Sequence, residues 1–533
     1  MSRLANTKRI TAAGAALVIF FAFLSGGYAY AKAKKLNMTY IYFGDTRAFI
    51  DNVDKTGGAL DTVSPSYFDL DSHGNLVLNE ITDQAFVEAM EDRDIRVVPF
   101  LSNHWDREKG RAALANRKDL AGQIADAVME YGFDGVNVDI ENLTEADREA
   151  YVDFVRLLRE ELPRRKEVSV AVAANPTGSD TGWQGSYDYE AMARYSDYLM
   201  IMAYDEKGEG EQQGPVASIS FVEESIKYAL RHIPSDKIVL GIPFYGRYWK
   251  VGQSHGGYGI HLNKVEELLE NYNGRVEFDE FAASPRATIN ITPGDGHVSV
   301  FSRRLSPGTY IIWYENEESI QYKLRLIKKY GLRGAGSWSL GQETGSTWGY
   351  FHLWLNGNWF VDTYQHWAQD EIADMEEKGW MQGVSSTHFA PDMPLTRAQS
   401  AAILVRALEL DERQDTGSFK DVSDQHWARR EIGIIEEYGI MQGKGNGQFG
   451  PEDPLTREEM AAILGRIVDI DDRDREQVFF RDVDSGRWSY EAISSMSGCG
   501  IFMGYDDGTF RPLDVITRAQ MAALMNRISP EIE

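Results

Sequence analysis

The sequence predicts an α/β protein: a (β/α)8 barrel of the TIM type with a small insertion, followed by three mainly α-helical repeats. Two observations predict this fold. Short apolar, β-rich runs alternate with helical patterns over residues 36–350, and one residue pattern then recurs three times before residue 530. A chain of 533 residues with 43% apolar and 12% aromatic residues can form several large cores.

The N-terminal segment has the pattern of a bacterial export signal. Arg3, Lys8 and Arg9 precede an uncharged, mostly apolar run at 11–24, and Ala29-Tyr30-Ala31 offers a small-residue cleavage site. We therefore predict a signal peptide over residues 1–31 and export to the cell surface. The run is short for a membrane span, although an uncleaved anchor remains an alternative.

Charge and cysteine content exclude several classes of function. A formal net charge of -27 disfavours nucleic-acid binding, because the protein repels phosphate. The single cysteine, Cys499, cannot form an intramolecular disulfide, and we expect it to be a small buried residue. No Cys/His cluster indicates zinc, and the Asp-rich stretch 69–74 predicts a hairpin-like turn, not a calcium loop. We expect neither a metal nor a cofactor.

The barrel prediction depends on eight apolar, β-rich runs with helical patterns between most of them. The runs are 38–43, 64–70, 96–101, 135–140, 168–174, 198–204, 238–244 and 334–338. Alternation of this kind is typical of a parallel barrel covered by crossover helices. The interval from Trp249 to Tyr310 is longer than a helix needs, so we predict an insertion with some β-structure on the catalytic face.

Three segments near the C-terminus share Phe-x-Asp, a tryptophan, a glycine-rich loop and Thr-Arg, in that order. The predicted repeats are residues 360–412, 419–470 and 480–530. Their tryptophans, Trp367, Trp427 and Trp488, are spaced by 60 and 61 residues. The pattern of each repeat predicts a helix, a loop and a second helix whose N-terminus is capped by threonine. Glu459 follows Thr456 at the spacing of a capping box.

The fourth β-rich run carries the most informative polar residues. Side chains of a strand alternate between its two faces, so Asn137, Asp139 and Glu141 share one face. In a barrel that face points into the lumen, where an unpartnered carboxylate is costly. Two carboxyls at the C-terminal end of a barrel strand indicate proton chemistry. A polar plug or a metal site is the alternative.

The segment from about residue 36 to 345 resembles glycoside hydrolase family 18, on motifs from four strands. Asp134, Asp139 and Glu141 match the family's fourth-strand D-x-x-D-x-D-x-E. The sixth-strand M-x-Y-D is matched by 202–205, the seventh-strand G-x-P-x-Y-G-R by 241–247, and the eighth-strand tryptophan by Trp338.

The resemblance implies substrate-assisted, retaining hydrolysis, in which the 2-acetamido oxygen of the sugar is the nucleophile. It implies that Glu141 is the acid and then the base, that Asp139 orients the acetamido group, and that Tyr204 donates a hydrogen bond to it. Trp338 would stack on the sugar, although core packing is an alternative for Tyr204 and Trp338. Further substrate-binding candidates are Asp134, Asn137, Asp205, Tyr245 and Arg247. We leave open whether Asp205 binds sugar or braces Arg247, and we expect Asp139 to raise the pKa of Glu141.

Two departures from the chitinase pattern bear on the substrate. Asn137 stands where many chitinases have a second Asp, and Ile140 where they often have an aromatic residue. An amide at 137 could donate a hydrogen bond to Asp139. The altered motif and the stretches 131–133, 214–218 and 313–316 resemble the spore-cortex and cell-wall N-acetylglucosaminidase branch. We therefore expect peptidoglycan or its fragments as substrate, with chitin as the alternative. A non-catalytic glycan-binding protein and a structural surface-layer component are alternatives from other classes.

The three repeats resemble S-layer homology domains, in which T-R-A-E is characteristic; here the motifs begin at Thr396, Thr456 and Thr517. The resemblance implies packing around a pseudo-threefold axis and binding of secondary cell-wall polysaccharide, in a bacterium that we expect to be Gram-positive. Arginine can grip a carboxylate with two parallel N–H groups, which makes Arg397, Arg457 and Arg518 candidates for polymer binding. The three tryptophans could stack on sugars, but we expect them in the core.

Overall fold

The computed structural model describes residues 34–385, 387–411, 419–468 and 478–532. The predicted signal peptide, residues 1–31, lies outside the described residues. No helix in the described ranges is both long and apolar enough to cross a membrane.

The described chain contains eighteen strands and seventeen α-helices. The strands are β1 Leu36–Ile41, β2 Thr62–Pro65, β3 Phe68–Leu70, β4 Leu76–Leu78, β5 Arg96–Val97, β6 Phe100–Ser102, β7 Gly135–Asp139, β8 Glu167–Ala173, β9 Tyr198–Met202, β10 Ile238–Pro243, β11 Tyr245–Lys250, β12 Tyr258–His261, β13 Arg275–Asp279, β14 Ser284–Ile291, β15 Val298–Val300, β16 Arg303–Leu305, β17 Gly308–Trp313 and β18 Gly334–Trp338. The helices are α1 Thr46–Lys55, α2 Gln84–Glu91, α3 Arg107–Ala115, α4 Arg117–Glu130, α5 Arg148–Glu161, α6 Gly182–Gly185, α7 Tyr189–Tyr195, α8 Ile219–Leu230, α9 Leu262–Asn271, α10 Glu317–Lys329, α11 Thr347–Leu355, α12 Gln369–Glu377, α13 Arg397–Ala407, α14 Arg429–Glu437, α15 Arg457–Leu464, α16 Tyr490–Gly498 and α17 Arg518–Ile532.

Residues 36–338 contain one sheet that curls back on itself and is parallel except for β4, which pairs antiparallel with β3. Each of the eight predicted runs contains strand structure, and the second and third are each broken in two, as β2 with β3 and β5 with β6. β1 pairs in parallel with both β18 and β2, β2 pairs with β5, and β3 pairs with β6. The remaining parallel pairings run β6, β7, β8, β9, β10 and β18. The pairings therefore connect the strands in cyclic order around a lumen.

The alternation predicted for the fourth run is present in β7. Val136, Val138 and Ile140 are buried in the outer core beneath the helices. Asn137 points into the lumen, where Tyr40 and the side chains of neighbouring strands form a separate inner core. The side-chain period of two thus sorts this strand into an apolar outer face and a polar inner face.

The predicted insertion is a small β-domain. It contains a five-stranded antiparallel sheet in the order β12-β11-β17-β14-β13, the helix α9, and a separate hairpin of β15 and β16. β11 starts two residues after β10 ends, so the seventh-strand motif 241–247 is divided between the barrel and the insertion sheet. Residues 241–243 of the motif therefore lie on the barrel strand, and residues 245–247 lie on the inserted sheet.

The predicted turn at 69–74 is confirmed as the connection of the β3–β4 hairpin. The carboxylate of Asp71 accepts hydrogen bonds from the backbone N–H groups of His73 and Asn75, at 2.7 and 2.9 Å. A side chain that satisfies its own turn in this way needs no metal ion to order it.

The three repeats exchange helix contacts in a closed ring. α13 of the first repeat packs on α14 of the second, α15 of the second on α16 of the third, and α17 of the third on α12 of the first. At the centre, three backbone hydrogen bonds form a triangle: Leu395 N–H donates to Ile516 O, Ile516 N–H to Leu455 O, and Leu455 N–H to Leu395 O, each at 2.9 Å. The predicted capping box of Thr456 and Glu459 is present.

The arginines of the three motifs join neighbouring repeats, which corrects the expectation that their forked edge is free for a polymer. Each is buried, and its Nε and Nη2 both donate to backbone carbonyls of the next repeat. The acceptors are Phe449 and Gln442 for Arg397, Phe510 and Met503 for Arg457, and Phe389 and Gln382 for Arg518, at 2.6 to 2.9 Å. Desolvation lowers the pKa of Arg518 to about 10. The Nε–Nη2 edge of each guanidinium is therefore bonded to backbone carbonyls of the next repeat.

The prediction that the repeat tryptophans lie in the core is wrong. Trp367, Trp427 and Trp488 are 60%, 59% and 64% exposed. The small residue that follows each of them is buried instead, as with Ala368 and Ala428. The position of each residue in the turn, and not its hydrophobicity, therefore decides whether the tryptophan or the residue after it points into the core.

The first repeat is tied to the barrel through α10. Arg325 forms two hydrogen bonds to the carboxylate of Glu376 on α12, at 2.7 and 3.0 Å. Its guanidinium carbon lies 4.3 Å from the ring centroid of Trp359, in the connecting segment. A bidentate ion pair that also stacks on an aromatic ring restrains both partners.

The junction between the second and third repeats differs from the other two and allows a stability prediction. Buried Glu458 accepts from Arg487 at 2.7 and 2.9 Å and from Ser489 at 2.6 Å. The equivalent glutamate position in the other repeats is alanine, and the equivalent arginine position is histidine. Arg487→Ala should lower the free energy of unfolding of the repeats by roughly 2–4 kcal/mol, because it leaves a buried carboxylate unpaired.

Urea unfolding of the full chain, followed by tryptophan fluorescence, measures this effect. The double variant Glu458→Ala/Arg487→His, which restores the residue types of the other junctions, should recover most of the loss. Arg511→Ala, at an exposed ion pair with Asp507 in the same repeat, should lower the free energy of unfolding much less, because water screens exposed charges. Equal losses in Arg487→Ala and Arg511→Ala would refute the proposed role of the buried pair.

Candidate active site

Asp139 and Glu141 lie together at the C-terminal end of β7, where the sheet pairing stops. The backbone beyond Asp139 is held by side chains instead of a neighbouring strand. Asn103 accepts from the Glu141 N–H and donates to the Glu141 carbonyl, both at 2.9 Å. Tyr151 Oη accepts from the Ile140 N–H, and Tyr187 Oη donates to the Ile140 carbonyl, both at 3.2 Å. These four bonds fix the direction in which the Glu141 side chain leaves the strand.

Asp139 is buried and Glu141 is half-buried, and loss of solvent perturbs both pKa values. The pKa of Glu141 is raised well above its usual range, first by desolvation and then by the negative charges of Asp139 and Asp205. The expected repulsion from Asp139 is therefore present, but burial is the larger cause. Desolvation raises the pKa of Asp139 to about 7, opposed by the positive charge of His104. A carboxylic acid that keeps its proton near neutral pH is suited to general acid catalysis.

Asn137 lies one step deeper in the lumen and does not line the cavity beside Glu141. Its Oδ1 accepts from Tyr40 Oη and its Nδ2 donates to Ser169 Oγ, both at 2.9 Å. The amide therefore bonds to residues of β1 and β8 and makes no hydrogen bond to Asp139 in this structure, so its contact with substrate stays a prediction. Its contribution is to occupy the lumen without adding a third charge.

Asp134 is not part of the site. It precedes the N-terminal end of β7, seven residues before Glu141, which corresponds to about 20 Å along an extended strand. Its carboxylate accepts from the Val97 N–H at 2.9 Å, and the Asp134 carbonyl accepts from Arg96. The predicted substrate contact is therefore wrong. Asp134 ties two strands at the opposite end of the barrel.

A cavity of about 280 Å³ opens beside the two carboxyls. Its walls come from the loops and strand ends of the first, fourth, sixth, seventh and eighth barrel strands and from the insertion. The predicted residues that line it are Asp139, Glu141, Tyr204, Asp205, Tyr245, Arg247 and Trp338. Seven residues from distant parts of the sequence are thus brought to one cavity.

Asp205 braces Arg247, one of the two roles left open for it. Its Oδ1 accepts from Arg247 Nη2 at 2.6 Å, Arg247 Nε at 2.8 Å and Tyr245 Oη at 2.6 Å. Coulombic attraction to Asp205 raises the pKa of Arg247 against the opposing effect of burial. The three side chains form one hydrogen-bonded group on the cavity wall.

Glycine at position 241 makes room for Tyr204. A Cβ at this position would lie 2.9 Å from the Tyr204 ring and 2.5 Å from the backbone oxygen of Ile201. Burial raises the pKa of Tyr204 well above its usual range, so its hydroxyl stays protonated and can donate a hydrogen bond into the cavity.

Trp338, at the end of β18, packs on aromatic residues and also lines the cavity. Its ring centroid lies 5.3 Å from Tyr40, 5.9 Å from Tyr42 and 6.0 Å from Phe100. The two roles considered for Trp338 are therefore compatible, because the ring has one face in the inner core and another toward the cavity.

Further residues lie around the C-terminal end of β7. Asn103 clamps Glu141, and Asp69 hydrogen-bonds His104 and raises its pKa. Trp183 packs edge-on against exposed Trp105 with ring centroids 4.8 Å apart. Asn103, His104 and Trp105 follow the third strand, a position from which the sequence predicts cleft residues, whereas Trp183 lies on α6 and carried no signal in the sequence. Among the side chains that the structure describes, no group of three or more His, Cys, Asp or Glu could hold a metal ion.

Comparison with known families matches two regions of the chain. The model for glycosyl hydrolases family 18 matches residues 32–343. The S-layer homology domain model matches residues 360–401, 418–461 and 479–522.

Relatives and solved structures match the first of these regions. Uncharacterized glycosylase YvbX of Bacillus subtilis strain 168 is 24% identical over 334 residues, which cover 60% of this chain and 92% of that protein. The cortical fragment-lytic enzyme of the same strain is 28% identical over 291 residues, 53% of this chain and 64% of that protein. The spore cortex-lytic enzyme SleL of Bacillus megaterium QM B1551 has a TM-score of 0.51 at 25% identity, with 59% of this chain and 72% of that chain covered.

The raised pKa of Asp139 predicts that this residue reduces stability. Because the folded-state pKa of about 7 exceeds the unfolded value of about 3.9, the folded state loses stability as pH rises from about 4 to 7. Asp139→Asn should therefore raise the thermal unfolding temperature at pH 8 by an amount equivalent to roughly 2–4 kcal/mol, and by much less at pH 4.

Calorimetric unfolding of the variant and the parent protein at the two pH values measures this difference. Asp71→Asn is the matched control, because hydrogen bonds lower the pKa of Asp71 to about 2. This substitution should give no gain at pH 8. A gain for Asp139→Asn that is the same at both pH values would contradict the buried-charge explanation.

Proposed function

Since the chain belongs to glycosyl hydrolase family 18 and is therefore a glycosidase, we propose that it cleaves β-1,4 linkages of N-acetylglucosamine-containing glycans. Peptidoglycan or its fragments is the proposed substrate, and the C-terminal repeats hold the enzyme at the cell wall. The observation that carries the proposal is Glu141, a half-buried carboxyl with a raised pKa that lines a sugar-sized cavity together with Asp139.

In the first step Glu141 acts as the acid. Its raised pKa favours the protonated form, which a general acid requires. The sugar's 2-acetamido oxygen forms a bond to the anomeric carbon while the bond to the leaving oxygen breaks, and Glu141 transfers its proton to that oxygen. The product is an oxazolinium ion, whose positive charge Asp139 stabilises in its ionised form.

In the second step Glu141 acts as the base. Its carboxylate takes a proton from water, and the water oxygen forms a bond to the anomeric carbon as the acetamido oxygen departs. Two displacements at one carbon retain its configuration, and Glu141 ends protonated, ready for the next cycle.

The cavity wall positions the sugar for both steps. The protonated Tyr204 hydroxyl donates a hydrogen bond to the acetamido oxygen. Trp338 provides an aromatic face for the sugar ring, and the Arg247 group offers donors to its hydroxyls. Holding the acetamido group in line with the anomeric carbon replaces a bimolecular step with an intramolecular one.

Peptidoglycan is favoured by the named relatives. The cortical fragment-lytic enzyme and the spore cortex-lytic enzyme SleL both match the barrel region. The lumen amide Asn137, where many chitinases have a second aspartate, also supports this branch. Chitin oligomers are the comparison substrate in the test below.

The proposed location is the cell surface, through the three S-layer homology domains. Since the motif arginines join the repeats, the polymer contacts are assigned to the exposed Trp367, Trp427 and Trp488. Aromatic side chains that stand free of the core offer flat apolar faces to sugar rings.

Replacing Glu141 with glutamine tests the catalytic assignment. The amide cannot donate a proton to the leaving oxygen, so kcat should fall roughly 10²–10⁴-fold. The measurement is mass spectrometry of new reducing ends from peptidoglycan and from chitin oligomers. Glu149→Gln, an exposed glutamate on the following helix, is the matched control and should keep full activity.

The outcomes distinguish the alternatives. Equal turnover by both variants would remove Glu141 from the mechanism. Turnover of chitin alone would make chitin the substrate, and no turnover by the parent protein would favour a non-catalytic glycan-binding protein.

Alanine substitution of the three exposed tryptophans tests the anchor. The triple variant should remain folded, and its affinity for purified cell walls should fall at least about tenfold. The reason is the loss of aromatic contacts that together contribute a few kcal/mol to the binding free energy. Sedimentation of the protein with wall fragments measures binding. Phe281→Ala, an aromatic residue 88% exposed on the insertion, is the control. Undiminished binding of the triple variant would place the polymer elsewhere on the repeats.

A further inference from the structure

An aromatic wall bounds one side of the catalytic cavity. It consists of Phe43 after β1, Phe301 at the tip of the β15–β16 hairpin, and His261 at the end of β12. The ring centroid of Phe301 lies 6.2 Å from that of Phe43 and 4.5 Å from that of His261. Phe43 and His261 are also in contact, with centroids 5.4 Å apart. Both phenylalanines line the cavity.

The wall is not explained by core packing. Phe43 and Phe301 are 43% and 57% exposed, so neither ring is removed from water as a core residue is. Phe301 also has a backbone φ of 49°, in the left-handed region that is strained for a bulky residue. Hairpin turns of this kind normally use glycine or asparagine there. A strained, exposed phenylalanine at a cavity is typical of a functional position.

The wall lies across the barrel mouth from Glu141. In the cyclic strand order, Glu141 follows the fourth strand, whereas the wall is formed by segments after the seventh and first strands, on either side of β18. The Phe43–Phe301 pair therefore joins the two chain segments that flank β18, the strand that ends at Trp338. The cavity is bounded by Glu141 at one end and by the aromatic wall at the other.

The side of Glu141 away from the wall carries exposed Trp105 and half-buried Trp183. Trp105 follows the third strand and Trp183 the fifth, so they flank the fourth strand. The Trp105 carbonyl accepts from Asn142 Nδ2 at 2.8 Å, next to Glu141. Trp105 is 49% exposed, and neither tryptophan lines the cavity. A glycan could continue over this side, but not past the wall.

We propose that the aromatic wall restricts the enzyme to glycan chain ends, and that Phe43 and Phe301 determine this specificity. This inference rests on the proposed function. The cavity of about 280 Å³ is at the small end of ligand pockets, which are typically ~300–1,000 Å³. It holds a short terminal segment, and the rest of the chain leaves past Trp105 and Trp183.

The direction of the reaction determines which end of the glycan enters the cavity. The sugar whose acetamido group meets Asp139 and Tyr204 is the one whose anomeric carbon is attacked, so its leaving oxygen lies toward Glu141. Everything on its other side is toward the non-reducing end of the glycan, and that side is closed by the wall. The enzyme therefore removes short units from non-reducing ends.

The experiment uses a β-1,4-linked N-acetylglucosamine hexamer labelled at its reducing end, and the same hexamer with its non-reducing O4 methylated. Products at low conversion are identified by mass spectrometry. The full-length protein should release short unlabelled fragments and cleave the capped hexamer at least about tenfold more slowly. Phe301→Ala and Phe43→Ala should each raise internal cleavage and the rate on the capped hexamer by about tenfold. Phe301→Tyr should behave like the parent protein, and so should Phe281→Ala.

Internal cleavage by the parent protein, or equal rates on the two hexamers, would overturn the chain-end inference and leave the proposed function intact. Parent-like products from Phe301→Ala and Phe43→Ala would overturn the role of the wall. Absence of cleavage of either hexamer and of peptidoglycan would overturn the proposed function together with this inference.

Discussion

The cleft depends on two carboxyl groups that are held close together in a poorly solvated barrel mouth. Keeping them there costs free energy. Each group is held near the other by the strand period, and each raises the cost of ionising its neighbour. The surrounding residues limit that cost. His104 supplies a positive charge, Asn137 occupies the lumen without another carboxylate, and Asn103 fixes the backbone where the sheet no longer can. The perturbed acidity that catalysis needs is thus a direct result of an arrangement that lowers stability.

The insertion is part of the cleft as much as the barrel is. Because β11 follows β10 almost directly, the inserted sheet carries Tyr245 and Arg247 to the cavity, and its hairpin carries Phe301. The barrel thus supplies the proposed acid from a strand end, whereas the insertion supplies groups that line the far side of the pocket. The proposed catalytic residues and the proposed specificity residue Phe301 therefore lie on separate structural units.

Local periodicity and short motifs predicted much of the fold and most of the candidate site. The two-residue period placed Asp139 and Glu141 together, and motif matches located Tyr204, Arg247 and Trp338. The failures have physical causes. Asp134 is in the same motif, but the strand's length separates it from the cleft. The exposure of Trp427 and the burial of Arg457 depend on contacts between repeats, and the meeting of Phe43 with Phe301 depends on the closure of the sheet. A linear pattern does not encode either kind of long-range contact.

The triangle of hydrogen bonds among Leu395, Leu455 and Ile516 gives the C-terminal region a fixed size. Open solenoids can gain or lose a unit at either end, and they need special capping units to cover the exposed faces there. A closed ring has no terminal unit, and every copy has two neighbours. Duplication of a single repeat would open the closed ring and leave two repeat surfaces without a neighbour. Enlargement of this region therefore requires a second set of three repeats.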